Sequence, residues 1–358
     1  MSPEPSGVTP TESRPTGTLA PMALTMGEPA GIGGEITLKS WLRLKLGNRP
    51  FFVIDDPGRL RDLGARLGLG VPVEAVDGPE QATDVFAHAL PVYPLDLPAV
   101  PVAGTLDPAN AAAVRSAIER AVGFVVDGRA SAVVTNPIHK EAMYASGFPF
   151  PGHTEFLADL VGSKRPAVMM LACPSLRVVP VTIHMSLAKA LAQLTTADIV
   201  ETSSIVDEAL RRDFSIPRPR LAVAGLNPHA GEGGAMGAEE ADIIVPAIRR
   251  LNDSGINAFG PLAPDSMFSA RIRTTYDAAI CMYHDQALIP VKTIDFDGSV
   301  NVTLGLPFVR TSPDHGTALD IAGRGEADAS SLIAALDLAA HMTRRRATAV
   351  GAHFVHAG

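Results

Sequence analysis

Short apolar runs that end in polar or glycine-rich turns alternate with helical patterns along this chain. One run, residues 22–26, leads into the loop GEPAGIGGE, and a helical pattern follows over about residues 35–46. FFVID (Phe51–Asp55) is typical of a second strand, and SAVVTNPIHK (131–140) repeats the order strand, polar turn, helix. This alternation predicts an α/β protein with largely parallel sheets and helices on both faces. Ligands of such sheets bind beyond the carboxyl ends of the strands.

Two stretches are less regular. Residues 81–105 are rich in proline, and we expect them to be irregular. The loop GEPAGIGGE is followed by a helix start, whose free N–H groups can hold an anion, but its glycines serve a tight structural turn equally well. Both interpretations of this loop stay open.

The composition excludes several classes of protein. The formal net charge is -8, and the one basic cluster, Arg344–Arg346, follows an apolar helical pattern, so we expect it to complement a helix C-terminus. A nucleic-acid partner is not expected, because binding to phosphate backbones requires a basic face. The sequence contains no run of about 18 apolar residues, the length that a membrane-spanning helix needs.

The two cysteines and the first twenty residues bear on the compartment. Cys173 and Cys281 lie in apolar runs without C-x-x-C spacing, so we expect buried free thiols and a reducing cytoplasm. Residues 1–20 are rich in Pro, Ser, Thr and Gly and lack an apolar core. They resemble neither a secretory signal nor a transit peptide, and a disordered tail is predicted.

Polar side chains of the kind that bind metal and phosphate accumulate in residues 283–320. Gly and Pro residues interrupt this segment, so we expect its polar groups to lie on loops, where binding residues concentrate. It predicts half of an active site. The polar groups are His284, Asp285, Lys292, Asn301, Arg310, Asp314 and His315.

Three histidines occupy the same topological position. His184, His229 and His284 each follow a predicted strand at its carboxyl end. A single histidine there is more often a structural residue than a ligand, but three favour a divalent metal site. Three protein ligands also leave positions open for substrate, as in catalytic sites.

Two further motifs contribute candidates. In GHTEF, Thr154 could simply cap a helix, but a cap needs no histidine, so ligand contact by His153 and Thr154 is slightly favoured. Asp265 follows two prolines and is expected in a loop, either supporting a histidine or contacting substrate.

The motif series resembles a known family. MGEPAGIGGE, TNPIHK, GHTEF, GLNPHAGEGG, PDSMF, MYHDQ and NVTLGLPFVRTSPDHGTALDIAGRG are similar, in order over about residues 23–339, to the motifs of the 4-hydroxythreonine-4-phosphate dehydrogenases of pyridoxal-phosphate biosynthesis. The resemblance implies two α/β domains around a cleft, similar to isocitrate and isopropylmalate dehydrogenases. It also implies a homodimer whose active sites lie at the subunit boundary.

The resemblance further implies the reaction and the cofactors. Such an enzyme oxidises 4-phosphooxy-L-threonine to 2-amino-3-oxo-4-phosphooxybutanoate with NAD or NADP and a divalent metal such as Zn, Co or Mg. The product then loses CO2 to give 3-amino-2-oxopropyl phosphate. The expected first domain comprises residues 21–150 and 318–350. Residues 151–317 form the second domain, which carries most metal and substrate residues.

By motif, each site residue receives an expected role. The metal ligands are His184, His229 and His284, one of them from the partner subunit. Substrate contacts fall on His153, Thr154, Lys292, Asn301 and Arg310. Asp285, Asp265 and Lys292 are candidates for the base, no residues are assigned to the nicotinamide cofactor, and SPDHGTALD is interpreted as a capped turn into the next helix.

Alternatives remain in the same family and outside it. Met26, Gly34 and Ala287 depart from the usual family pattern and resemble relatives that act on D-threonate or D-erythronate 4-phosphates. Relatives that oxidise aromatic cis-diol dicarboxylates are expected to lack GHTE and Arg310, which this chain has. A metal-dependent hydrolase or a non-catalytic phosphometabolite-binding protein would belong to another class, and the absence of a nucleophile motif or H-E-x-x-H disfavours the hydrolase.

Overall fold

The structure, a computed structural model, describes residues 19–150 and 152–355, so nearly all of the predicted tail lies outside the described residues. A single twelve-stranded sheet runs through this part of the chain. Its strand order is β3-β4-β2-β1-β5-β12-β11-β6-β7-β10-β8-β9. The strands are β1 Met22–Thr25, β2 Phe51–Asp55, β3 Val73–Ala75, β4 Leu90–Pro94, β5 Ala132–Thr135, β6 Val168–Cys173, β7 Leu176–Thr182, β8 Leu221–Ala224, β9 Ala258–Leu262, β10 Ala278–Tyr283, β11 Val300–Leu304 and β12 Val309–Pro313.

Most strand pairings are parallel, as the sequence predicts. Among the described residues, the antiparallel pairs are confined to β12-β11-β6-β7 in the middle of the sheet, and both flanks are parallel. Residues up to Thr135 supply β1 to β5, and the chain from Val168 onward supplies the rest. They meet where β12 lies parallel to β5, with Arg310 opposite Val133. The division into two domains stays a prediction.

Helices cover both faces of the sheet. They are α1 Gly33–Leu44, α2 Pro57–Arg66, α3 Pro79–Val85, α4 Ala111–Val126, α5 Lys140–Ala145, α6 His153–Leu160, α7 Leu187–Gln193, α8 Thr196–Phe214, α9 Val245–Asp253, α10 Pro264–Met267, α11 His284–Ile294 and α12 Ser330–Val355. The α/β class is therefore confirmed. No helix in residues 19–150 and 152–355 has the length and apolar character needed to cross a membrane.

The two faces of the sheet have different cores. On one face a single hydrophobic cluster extends from β1 to β10, because α1, α8, α9 and α12 pack side by side. On the other face the apolar residues form two main clusters, one containing Phe156 of α6 and the other containing Val291 of α11. Successive strand residues point to opposite faces, so Leu24 joins the first cluster and Ala23 the second.

Several local predictions were wrong. Residues 81–105 contain most of α3 and all of β4. LPVYP is a strand despite its two prolines because β4 pairs with β2 on one side and with β3 on the other. The segment after Tyr283 forms α11 rather than a loop and accommodates Pro290 within the helix. SPDHGTALD does not lead directly into a helix, since α12 begins only at Ser330.

The basic cluster Arg344–Arg346 has a different role from the one predicted. Its own helix, α12, continues to Val355, so the cluster does not lie at a helix end. Arg345 donates a hydrogen bond to the carbonyl of Phe214, the last residue of α8. Arg346 forms an ion pair with the buried carboxylate of Asp213. The cluster therefore caps and anchors a neighbouring helix.

Candidate active site

One cavity of about 570 Å³ brings together the predicted substrate residues. It opens between α6 and α11, on the face where the core is divided, and beside the carboxyl end of β5. Its lining includes His153, Thr154, His184, Lys292, Asn301 and Arg310. These residues come from five separated parts of the sequence and meet in one place, as expected for a binding site of an α/β protein.

Arg310 is a buried cation that no described carboxylate contacts directly. The residue is 2% exposed, and among the described residues no carboxylate forms an ion pair with it. Its Nη1 donates to Oγ1 of Thr303 (2.9 Å) and its Nη2 to Oγ1 of Thr135 (2.6 Å), which leaves Nε without a partner. Burial lowers the pKa of Arg310 to about 10, although the nearby Glu155 opposes this effect. Such a guanidinium is suited to bind an anion.

Other buried polar atoms around the cavity also lack partners. In native proteins nearly all buried polar groups are hydrogen-bonded, so a concentration of exceptions indicates a place that a ligand completes. Two of these atoms belong to residues predicted to contact substrate, and the other three belong to further residues that line the cavity. They are Nε2 of His153, Oε2 of Glu155, Oδ1 of Asn301, Oδ1 of Asn136 and Nε2 of His315.

The start of α6 places His153 and Thr154 at the cavity. Gly152 occupies the N-cap position without a side-chain cap, so Thr154 does not cap the helix. Burial lowers the pKa of His153 well below its ordinary value, and the positive charges of Arg310 and Lys140 lower it further. His153 is therefore a neutral imidazole at neutral pH.

Lys292 reaches the same cavity from the last turn of α11. Its Nζ lies 2.9 Å from Oδ2 of Asp314 and 3.3 Å from the Asp314 carbonyl oxygen. Asp314 therefore fixes the ammonium group at the rim, a function that the sequence interpretation of SPDHGTALD missed. The signal was present, since Asp314 and His315 directly follow the strand that carries Arg310.

Two of the three predicted metal ligands face each other. The rings of His184 and His284 lie 6.2 Å apart between centroids, and both residues line a second cavity of about 410 Å³ that adjoins the first. Nδ1 of His284 lies 2.7 Å from Oδ1 of Asp285, so its Nε2 is available for a ligand. The pKa of His184 is lowered, chiefly by burial, which favours the neutral imidazole that metals bind.

His229 lies apart from this pair. It follows β8, which neighbours β10, but it lines neither of the two cavities. Within residues 19–150 and 152–355, no three His, Cys, Asp or Glu side chains are placed to hold one metal ion. A complete three-histidine site therefore requires a ligand that this single chain does not bring into place.

The candidates for the base are separated by the structure. Lys292 lines the larger cavity, whereas Asp285 lies on the rim of the smaller one and contacts His284. Asp265 lines neither cavity and belongs to the short helix α10, so its predicted loop position was wrong. Thr135, Lys140 and Glu155 line the cavity but were not predicted as site residues, although TNPIHK and GHTEF contain them.

Comparisons with known proteins agree on one family. The family model "Pyridoxal phosphate biosynthetic protein PdxA" matches residues 48–339. A 4-hydroxythreonine-4-phosphate dehydrogenase of Bradyrhizobium diazoefficiens is 52% identical over 334 residues, which cover 90% of this chain and 96% of that relative. The enzyme of the same name from Caulobacter vibrioides is 51% identical and covers 92% of this chain and 99% of its own.

A solved structure gives the same result in three dimensions. The crystal structure of 4-hydroxythreonine-4-phosphate dehydrogenase from Klebsiella pneumoniae superimposes with a TM-score of 0.82 at 37% sequence identity. The match covers 90% of this chain and 99% of that one. Sequence and fold therefore point to the same relatives over nearly the whole length.

Proposed function

The chain belongs to the family of the pyridoxal phosphate biosynthetic protein PdxA and is an oxidoreductase; on that premise we propose that its substrate is 4-phosphooxy-L-threonine. The reaction is the 4-hydroxythreonine-4-phosphate dehydrogenase step for which its relatives are named. A hydride leaves the carbon that carries the secondary hydroxyl, and the hydroxyl loses its proton. The product is a β-keto acid, which decarboxylates to 3-amino-2-oxopropyl phosphate.

The observation that carries the proposal is the buried, unpaired guanidinium of Arg310. A phosphate monoester supplies both the negative charge and the acceptor oxygens that Arg310 lacks. Asn301, Thr154 and the neutral His153 line the same cavity, which supports hydrogen bonds from them to the phosphate. A neutral or apolar substrate would leave the guanidinium unpaired, which is costly in a buried site.

We assign metal binding to His184, His284 and a third imidazole from His229 of a second copy of the chain. The fit rests on the neutral state of His184 and on the free Nε2 of His284 that the contact with Asp285 leaves. A bound divalent ion lowers the pKa of a hydroxyl and polarises a carbonyl, the two effects needed for oxidation and decarboxylation. Zn, Co and Mg are the candidates.

A homodimer follows from this assignment. Apolar side chains surround the pair of histidines and are exposed in the single chain, including Met185 (38%), Leu187 (54%) and Leu191 (46%). Ile289, on the outer side of α11, is 64% exposed. An exposed apolar surface around an incomplete site supports a protein interface there, and a symmetric dimer would complete both sites at once.

We propose Lys292 as the base that accepts the proton of the substrate hydroxyl. It lines the substrate cavity and Asp314 holds its Nζ at 2.9 Å, whereas Asp265 does not reach the cavity. Asp285 instead orients His284. In this scheme the neutral amine form of Lys292 accepts the hydroxyl proton, and Asp314 pairs with the ammonium group that results.

The hydride acceptor is a nicotinamide dinucleotide, as the dehydrogenase family implies, and either NAD or NADP fits the proposal. A cavity of about 420 Å³ adjoins the loop GEPAGIGGE and offers space for part of a dinucleotide; its lining carries both signs of charge, since Glu35 and Asp62 stand beside Arg59 and Arg66. The two buried free cysteines support the proposed cytoplasmic location.

One assay tests the proposal. Reduced-cofactor formation is followed at 340 nm with 4-phosphooxy-L-threonine, D-threonate 4-phosphate and D-erythronate 4-phosphate, each with NAD and NADP, and with and without a chelator. We expect turnover of the first compound and loss of activity with the chelator. Faster turnover of either sugar-acid phosphate would replace the proposed substrate, and substrate hydrolysis or binding without reduction of the cofactor would contradict the oxidoreductase.

A further inference from the structure

The turn that carries His229 has an unfavourable backbone. From His229 to Gly233 all five residues have positive φ, including His229 (53°), Ala230 (54°) and Glu232 (41°), which are not glycine. Even a single residue with a Cβ rarely adopts this left-handed conformation. A run of such residues persists only where surrounding contacts impose it. Something in the structure must therefore hold this turn.

The buried carboxylate of Glu240 supplies those contacts. Glu240 is 6% exposed, and its Oε1 accepts hydrogen bonds from the backbone N–H groups of Leu226 (2.8 Å) and Asn227 (2.7 Å). Its Oε2 accepts a hydrogen bond from the Asn227 amide (3.0 Å). A Cβ at Gly231 would lie 2.6 Å from this oxygen, so the turn wraps closely around the carboxylate.

A buried amide links the same turn to the strand that precedes His284. Gln286 is 7% exposed and donates from Nε2 to the carbonyl of Gly225 (2.7 Å), just before the turn. Its Oε1 accepts the backbone N–H of Met282 (2.6 Å), on the strand that leads to His284. The exits of β8 and β10 are therefore joined by one side chain, which fixes the His229 turn relative to His284.

We propose that Glu240 is a positioning residue for metal binding by His229, with Gln286 as its support. Three donors converge on an ionised acceptor that contacts neither cavity, so its role is exerted through the turn. Its proposed effect is to hold the imidazole of His229 where a second copy of the chain presents its own His184 and His284. This inference rests on the metal role proposed above.

Glu240→Gln tests the positioning role. The variant keeps the shape but replaces one acceptor oxygen by a donor, which then faces N–H groups that also donate. We expect Co(II) affinity, measured by visible absorption of the dimer, to weaken by about 10- to 100-fold, as is typical when a group that orients a metal ligand is removed. In the metal-free protein, amide hydrogen exchange of residues 226–233 should become faster.

Asp277→Asn is the matched control, because Asp277 holds the beginning of β8, whereas Glu240 holds the turn that follows the end of β8. Its Oδ2 accepts the backbone N–H of Arg220 (2.8 Å) and pairs with the guanidinium of Arg220. We expect this variant to lower Tm while leaving Co(II) affinity and hydrogen exchange in residues 226–233 unchanged. A purely structural role of Glu240 would make the two variants behave alike.

The outcomes separate the two proposals. If wild-type protein binds Co(II) and Glu240→Gln binds it equally well, the positioning role is overturned and the metal role stands. If wild-type protein takes up no Co(II), the metal role fails and the inference fails with it. Should Glu240→Gln not fold, Gly231→Ala decides, because its Cβ displaces the same carboxylate and should weaken Co(II) binding in a folded protein.

Discussion

At the scale of single residues, replacing Arg310 should weaken substrate binding without lowering the stability of the protein. Replacing it by Met removes a buried charge that no described carboxylate contacts directly, so the free energy of unfolding should stay within about 1 kcal/mol of wild type or rise. The phosphate loses its main partner, and a charge-assisted pair of this kind is worth about 3–4 kcal/mol, which predicts a loss of about 100- to 1000-fold in kcat/KM. Urea unfolding and steady-state kinetics on the same preparation measure both. A variant that loses stability and activity together would indicate a structural role.

His153 gives a prediction on pH at the same scale. Its pKa in the folded protein lies well below 6.5, so the unfolded chain binds a proton more readily. Stability is therefore unaffected above about pH 6.5 and falls as the pH drops below it, by at most about 1.4 kcal/mol per pH unit from this group. The difference between wild type and His153→Gln in urea unfolding at pH 7.5 and 5.5 isolates that contribution. An identical pH dependence in both proteins would contradict it.

At the scale of elements, the junction between α8 and α12 depends on one carboxylate. Asp213 is 1% exposed and pairs with Arg212 and Arg346; burial alone would raise its pKa, but these partners lower it below the ordinary value. Asp213→Asn should cost about 3–5 kcal/mol at pH 7, because it leaves a partly buried charge unpaired. The difference from wild type should shrink as the pH falls through the lowered pKa. Glu119→Gln, in an exposed pair with Arg115, is the control and should cost less than about 1 kcal/mol in the same urea titration.

Elements also show what the sequence could and could not reveal. Strand ends are visible in sequence because apolar runs stop at polar residues, and this rule located His184, His229 and His284. Asn301 and Arg310 were found instead from the polar segment 283–320 and the family motifs, and both lie near the beginning of their strands. The strand β4 was hidden because its neighbours in the sheet, rather than its own composition, impose its conformation. Asp314 was hidden because its partner, Lys292, lies on a helix that begins where a loop was expected.

At the scale of the whole molecule, sharing of the active site between subunits can be tested by mixing two inactive variants. If His229 acts on the partner's site, a mixed dimer of His229→Ala and His284→Ala contains one intact site of two. Random exchange makes half of the dimers mixed, so about a quarter of wild-type activity should return. If all three histidines act within one chain, no intact site forms and mixing recovers nothing. Mixing either variant with itself is the control.

The order of strands has a consequence for synthesis of the chain. The seam between β5 and β12 joins residues 132–135 to residues 309–313, and the cavity is built across it, since Thr135 stands on one side and Arg310 on the other. A growing chain exposes the free edge of β5 until more than 300 residues have been made, and such unpaired edges invite aggregation. The proposed phosphate-binding site therefore forms only with a nearly full-length chain, and a ligand at this site cannot stabilise any earlier fragment.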